Sequence, residues 1–131
     1  MRAQLIIFLV AGFLSYLLER QTKSLCKDTF LTHIISLLHN YGSIYLIFGS
    51  LLFGHHLLHL CVLFFTVSLW YVLEDGMCPV TSYYNNLCKI SPTRPFHDVF
   101  YLANQYLNIP YFREIMALSA IIYNCNHIWK N

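Results

Sequence analysis

Residues 29–73 constrain this chain more than any other feature: 45 consecutive residues carry no Lys, Arg, Asp or Glu. About 20 predominantly apolar residues suffice to cross a hydrocarbon core, so the run reads as membrane-embedded. It also holds five of the seven histidines: His33, His39, His55, His56 and His59. Ionisable side chains at membrane depth are costly and mark functional sites by default, which makes each of these a candidate.

The rest of the composition agrees. Only 11% of the 131 residues are charged and 57% are hydrophobic, against about 25% charged in soluble domains. Too little polar surface is left to coat a water-soluble globule, and 131 residues fit one membrane domain spanning 1–131. Eight Lys/Arg against six Asp/Glu leave a net charge of +2 with no basic patch, so no nucleic-acid partner is expected. Ten Tyr and two Trp suit membrane–water interfaces, where ring and polar tip are both satisfied.

Periodicity divides the chain into helices. Residues 3–18 form a first apolar crossing, followed by a polar loop over 19–28 with Arg20, Lys23 and Lys27. Asp28 or Thr29 can cap the next helix. Over 29–40 the polar residues Thr29, Thr32, His33, Ser36, His39 and Asn40 share one face, as in an amphipathic helix at the membrane surface. Asn40-Tyr41-Gly42 is a stop signal. The run 43–73 then reads as one long helix, roughly 46 Å at 1.5 Å per residue. The competing reading makes 30–53 and 57–73 separate spans with a turn at Gly54-His55-His56. Gly54 is the one breaker there, so the single helix is favoured.

Residues 77–95 carry turn chemistry: Cys78-Pro79, Asn85-Asn86, Ser91-Pro92 and Arg94-Pro95. Thr93 caps a second interfacial helix over 94–107, and Asn108 caps a last crossing over 110–129, with Pro110 in its first turn. The fold expected is an all-α polytopic membrane protein. It has three transmembrane helices, or four if the central run is a hairpin, plus two amphipathic interfacial helices. The acids Glu74, Asp75, Asp98 and Glu114 place the 19–28 loop in the cytoplasm and the 74–95 loop on the non-cytoplasmic side.

Three constellations carry chemistry. Cys78 and Cys88 bracket a short loop that a disulfide would close and stiffen, on an oxidising side; the alternative is two separate thiols. Cys26, Cys61 and Cys125 read as unpaired. His55-His56-x-x-His59 places imidazoles at i, i+3 and i+4, and imidazole ligates iron, copper and zinc. These residues, with His39, could hold a transition metal or a haem; the alternatives are polar packing between helices and a proton or ion path. Gly49, Ser50 and Gly54 give the central helix a small-residue side, with Ser50-x-x-x-Gly54 permitting close helix approach. Asp98, beside His97, reads as a solvated pair on a surface helix. Nucleotide-binding, serine-hydrolase and zinc-protease motifs are missing.

Trp70, then Cys78-Pro79-Val80-Thr81 and Leu87, resemble the C-P-L-T-x-x-E-x-x-L loop that follows a membrane helix in the DUF2784 family of small membrane proteins of unknown function. The resemblance covers about 30 residues around 56–88; Tyr84 and Asn85 stand where the family has its glutamate. In general appearance the chain is also similar to small membrane proteins of large DNA viruses. Neither likeness implies an activity. The role expected is a membrane scaffold or accessory subunit that packs in the lipid bilayer against other membrane proteins or itself. The alternatives are a histidine-ligated haem or metal redox protein and a small ion or proton channel.

Overall fold

The computed structural model describes residues 2–22, 29–72, 78–91 and 94–130. Among these are six helices and no strand: α1 (Arg2–Thr22), α2 (Phe30–Phe53), α3 (His56–Val72), α4 (Pro79–Leu87), α5 (Val99–Leu107) and α6 (Phe112–Lys130). Two of them, α1 and α2, are long and apolar enough to cross a membrane.

The largest departure from expectation is in the centre. The surface helix over 29–40 and the long helix over 43–73 are replaced by α2 and α3, which meet at Gly54. Thr29 caps α2 through a capping box with Thr32. The helix then runs straight through Asn40-Tyr41-Gly42 because those residues are packed against α1. Asn40 hydrogen-bonds across to Ser15 at 2.5 Å and to Glu19 at 2.7 Å. Tyr41 donates to the Leu9 carbonyl at 2.9 Å, over Gly12, where any Cβ would overlap the Tyr41 ring. Gly54 ends α2 instead. Its φ is +72° and its amide donates to the Ser50 carbonyl at 2.9 Å, a left-handed cap that glycine adopts at no steric cost. The competing two-helix reading is the one observed.

Polar bonds bind α1 to α2 more than apolar burial does. Ser36 donates to Glu19, Tyr16 and His33 are 2.7 Å apart, and Glu19, Ser36 and Asn40 are fully buried. Away from this face of α1, Ile6, Ile7, Val10, Phe13 and Leu14 are all about half exposed. Polar residues are thus turned toward the partner helix and apolar ones outward.

Beyond α3 the expected loop over 77–95 contains α4. Cys78 takes the N-cap position and Pro79 the first turn, where proline's missing amide costs nothing. Tyr84 packs with Ile35 of α2 and Phe96 in the small hydrophobic core, and Asn85 donates to the Arg94 carbonyl at 2.7 Å, pinning the extended segment before α5. Thr93 lies outside the described residues; the cap of α5 is Asp98, so the helix starts at Val99, not residue 94. Asn108 ends α5 in the left-handed region, at φ +51°, and does not cap α6, which begins at Phe112. Packing of α6 against both α3 and α2 closes the bundle.

Candidate active site

The sequence-derived site residues fall into two separate places. His59 is fully buried between α2, α3 and α6. Its Nε2 lies 2.9 Å from the Tyr45 carbonyl, which can only accept, so Nε2 carries the proton. Its Nδ1 therefore accepts from the Asn124 amide at 2.9 Å. Both ring nitrogens are occupied and neither has a lone pair left for a metal. His56 Nδ1 bonds the Asn124 carbonyl oxygen at 3.1 Å and its ring stacks on His127, centroids 4.4 Å apart. Asn124 completes its set by donating to the Ala120 carbonyl at 2.7 Å. His55 is exposed. His56 and His59 thus bond between helices. Among the described residues no group of three His, Cys, Asp or Glu side chains is arranged to hold a metal ion. Gly49 serves the same junction: a Cβ there would meet the His59 and Tyr45 rings below 3.0 Å. Ser50 is buried beneath it, with Gly54 at the turn.

The fourth histidine, His39, sits apart. One helical turn from the buried Ser43, it faces the N-terminal ends of α4 and α5. Its Nε2 is 3.2 Å from Asp98 Oδ2, and its ring lies against Phe96 with centroids 3.9 Å apart. The Cys78 thiol lies close to the same imidazole, near enough to feel its charge.

Asp98 is held from four directions. Oδ1 accepts from the amides of Phe100 at 3.0 Å and Tyr101 at 2.9 Å, and Oδ2 accepts from the Ser43 hydroxyl at 3.1 Å and from His39. Burial alone would raise its pKa. The His39 imidazole, the Tyr101 amide and the Ser43 hydroxyl together outweigh burial and hold the carboxyl below its ordinary value. The solvated Asp98 expected from sequence is thus a half-buried carboxylate fixed by four donors.

Cys78 is a free thiol, which overturns the expected Cys78–Cys88 disulfide. The reason is α4 itself. It separates the two residues by ten helical steps, about 15 Å at 1.5 Å per step, far beyond the roughly 7 Å limit for Cα atoms in a disulfide. Cys88 is disulfide-bonded, but not to Cys78; Cys26 lies outside the described residues, and Cys61 and Cys125 are free. Burial would push the Cys78 thiol up. His39 beside it, and the Val80 and Thr81 amides facing the sulfur from the first turn of α4, bring it below its ordinary value. Neither amide closes a full side-chain cap bond, so His39 is the main partner.

Cys78, His39 and Asp98 all line one cavity of about 800 Å³, walled mainly by apolar side chains of α2, α4 and α5, within the range of roughly 300–1,000 Å³ usual for small-molecule sites. A thiol, an imidazole and an orienting carboxylate are the three parts of a cysteine nucleophile site. Each had a signal in the sequence. For Cys78 it was a helix start, an N-cap followed by proline. For Asp98 it was a good N-capping residue before an apolar helix. No signal joined them. Comparison with protein families, curated proteins and solved structures finds no match to this chain.

Proposed function

We propose that this chain is a membrane-embedded cysteine enzyme of the acyl-transfer class. Cys78 is the nucleophile, His39 the acid–base group and Asp98 the residue that orients His39. The observation that carries this is the convergence of the three side chains, from α2, α4 and α5, on one apolar cavity. In the reaction, the Cys78 thiol gives its proton to His39 and its sulfur adds to an acyl carbonyl carbon. The C–S bond forms, the bond to the leaving group breaks, and His39 returns the proton to that group. Water, deprotonated by His39, then cleaves the thioester, releasing a carboxylic acid and restoring the thiol. Positive ends of α4 and α5 favour the anionic sulfur and carboxylate.

The test is labelling of the purified full chain with iodoacetamide across pH, followed by mass spectrometry of the Cys78 peptide. Cys78 should alkylate with a midpoint below that of a free thiol, and His39→Gln should move it upward, because burial is then opposed only by the weaker Val80 and Thr81 amides. An unchanged midpoint in His39→Gln would sink the proposal. Membrane embedding is supported by the length of α1 and α2 and by the outward apolar face of α1. That face also keeps a second role open, packing in the bilayer against another membrane protein. Cross-linking from single cysteines placed at Val10 and Phe13 would report it, and lipid-only contacts would refute it.

A further inference from the structure

The same cavity holds two polar donors that the triad does not use. Trp70 of α3 is 8% exposed, and its indole N–H has no acceptor among the described residues. Arg113 of α6 lies over the Trp70 ring, 4.6 Å from its centroid, and pairs with Glu114 at 2.7 Å. That pairing uses Nη2, and the buried Nε–H also has no acceptor among the described residues. Both residues belong to the lining of the cavity that Cys78 also lines. A buried donor left without an acceptor costs about 1–3 kcal/mol. Two in one cavity therefore point to oxygen acceptors brought by a ligand. Since Glu114 already balances the Arg113 charge, the acceptors need not carry a full negative charge; ester or amide oxygens suffice. The remaining wall includes Ile35, Leu46, Ile47, Phe100 and Phe112, a surface for an extended hydrocarbon and a poor one for a hydrophilic metabolite.

We infer that the substrate is a long-chain fatty-acyl group joined to an oxygen-rich head. The chain lies along the apolar wall, the head oxygens accept from Trp70 and Arg113, and the acyl carbon is delivered to Cys78. This rests on the acyl-transfer reading and names the substrate class for it. The ester of a glycerolipid and the thioester of an S-acylated peptide share this chemistry.

The experiment uses the full chain in detergent micelles. It measures acylation of Cys78 by intact-protein mass after acid quench, with p-nitrophenyl palmitate and p-nitrophenyl acetate as probes. Palmitate should acylate at least about tenfold faster at equal free concentration, since burying a few methylenes is worth that much. Trp70→Phe, which keeps the ring and removes the N–H, should slow transfer from dipalmitoyl phosphatidylcholine vesicles or from an S-palmitoyl peptide by roughly three- to tenfold. Its helix content and detergent-phase unfolding midpoint should match those of the parent, showing that the variant is folded. Transfer from vesicles assigns the lipid source, and transfer from the peptide assigns the protein source. Transfer from neither, or equal rates on palmitate and acetate, overturns this inference and leaves the thiol chemistry standing. No Cys78 adduct from either ester overturns the acyl-transfer reading itself.

Discussion

Replacing Asp98 by Asn separates the structural work of this residue from its chemical work. On the structural side, Oδ1 caps α5 through the Phe100 and Tyr101 amides at 3.0 and 2.9 Å. Asn caps helices as well as Asp does, so that part survives. On the chemical side, Oδ2 accepts from His39 at 3.2 Å and from Ser43 at 3.1 Å, and an amide nitrogen there donates instead. His39 must then turn its unprotonated face to residue 98, and the charge that stabilises its protonated form is gone. The loss of two charge-assisted bonds, partly replaced, should cost about 1–2 kcal/mol of stability. Asp98→Ala loses the cap as well, a further 0.5–2 kcal/mol or about 3 kcal/mol in all. The effect on turnover should be far larger. The same exchange in a Ser-His-Asp triad costs about 10⁴ in kcat by imposing the wrong tautomer, so hydrolysis of p-nitrophenyl acetate should fall by at least about 10²-fold. Detergent-phase unfolding measures the first quantity and p-nitrophenol release the second. Turnover by Asp98→Asn within threefold of the parent, at equal folded fraction, would refute the orienting role. A collapse of stability as deep as that of Asp98→Ala would refute the division between cap and charge.

Acid should weaken the fold through the same residue. The folded-state pKa of Asp98 is lowered, so its contribution is fully present above the unfolded carboxylate value of about 3.9 and is lost as pH falls through the folded value. Unfolding midpoints from pH 6 to 2 should show this loss in the parent and less of it in Asp98→Asn. Asn124→Leu should remove three bonds, two of them to His56 and His59. At about 0.6 kcal/mol per interhelical bond in a membrane setting the two bonds to α3 are worth about 1 kcal/mol, rising toward 4 if His59 is left unsatisfied in a dry interior; the third bond, to Ala120, lies within α6. Unfolding of the purified variant gives the value, and a neutral result would mean that the histidine cluster is not structural. Gly54→Ala forces an L side chain into φ +72° at about 1–2 kcal/mol; helix content unchanged and stability undiminished would show that α2 runs on into α3 in solution.

The helices were legible in the sequence wherever apolar periodicity was strong, and Thr29 was identifiable as a cap. The central break was not, because it rests on one residue. Gly54 alone can take the left-handed conformation, and nothing in its neighbours distinguishes it from Gly42, which α2 passes through. The stop expected at Asn40-Tyr41-Gly42 failed for the opposite reason: α1 supplies the bonds to Asn40 and Tyr41 that make helix the better state, and that contact is tertiary. The histidine cluster was visible, but its meaning was not, since Tyr45, fourteen residues before His59, and Asn124, sixty-five after it, decide its hydrogen bonds. The candidate active site was hidden most completely. Pairing Cys78 with Cys88 depended on a loop, and the loop is a helix. Placing Asp98 in solvent depended on a helix starting at 94, and that helix starts one residue after Asp98.

The two misread residues share a cause that bears on mechanism. Cys78 and Asp98 are both N-cap residues of nine-residue helices, α4 and α5. Helices that short are marginal alone and are held here by contacts outside themselves: Tyr84 in the Ile35–Phe96 cluster for α4, and Phe100 and Leu102 in the buried core for α5. The long α2 carries His39 and also supplies Ile35 to that cluster and Ser43 to Asp98. One rigid helix therefore sets the imidazole and helps fix both caps, while the two helix N-termini favour negative charge on either side of it. It follows that a substitution can damage the thiol without touching the triad. Tyr84→Ala, which empties the site beneath α4, should cost about 3–5 kcal/mol if α4 stays docked. If α4 instead detaches, stability should fall less while the alkylation midpoint of Cys78 rises toward that of a free thiol. The two responses distinguish a helix held as part of the core from one held only at its cap. Only the first is compatible with a nucleophile kept at a fixed distance from His39.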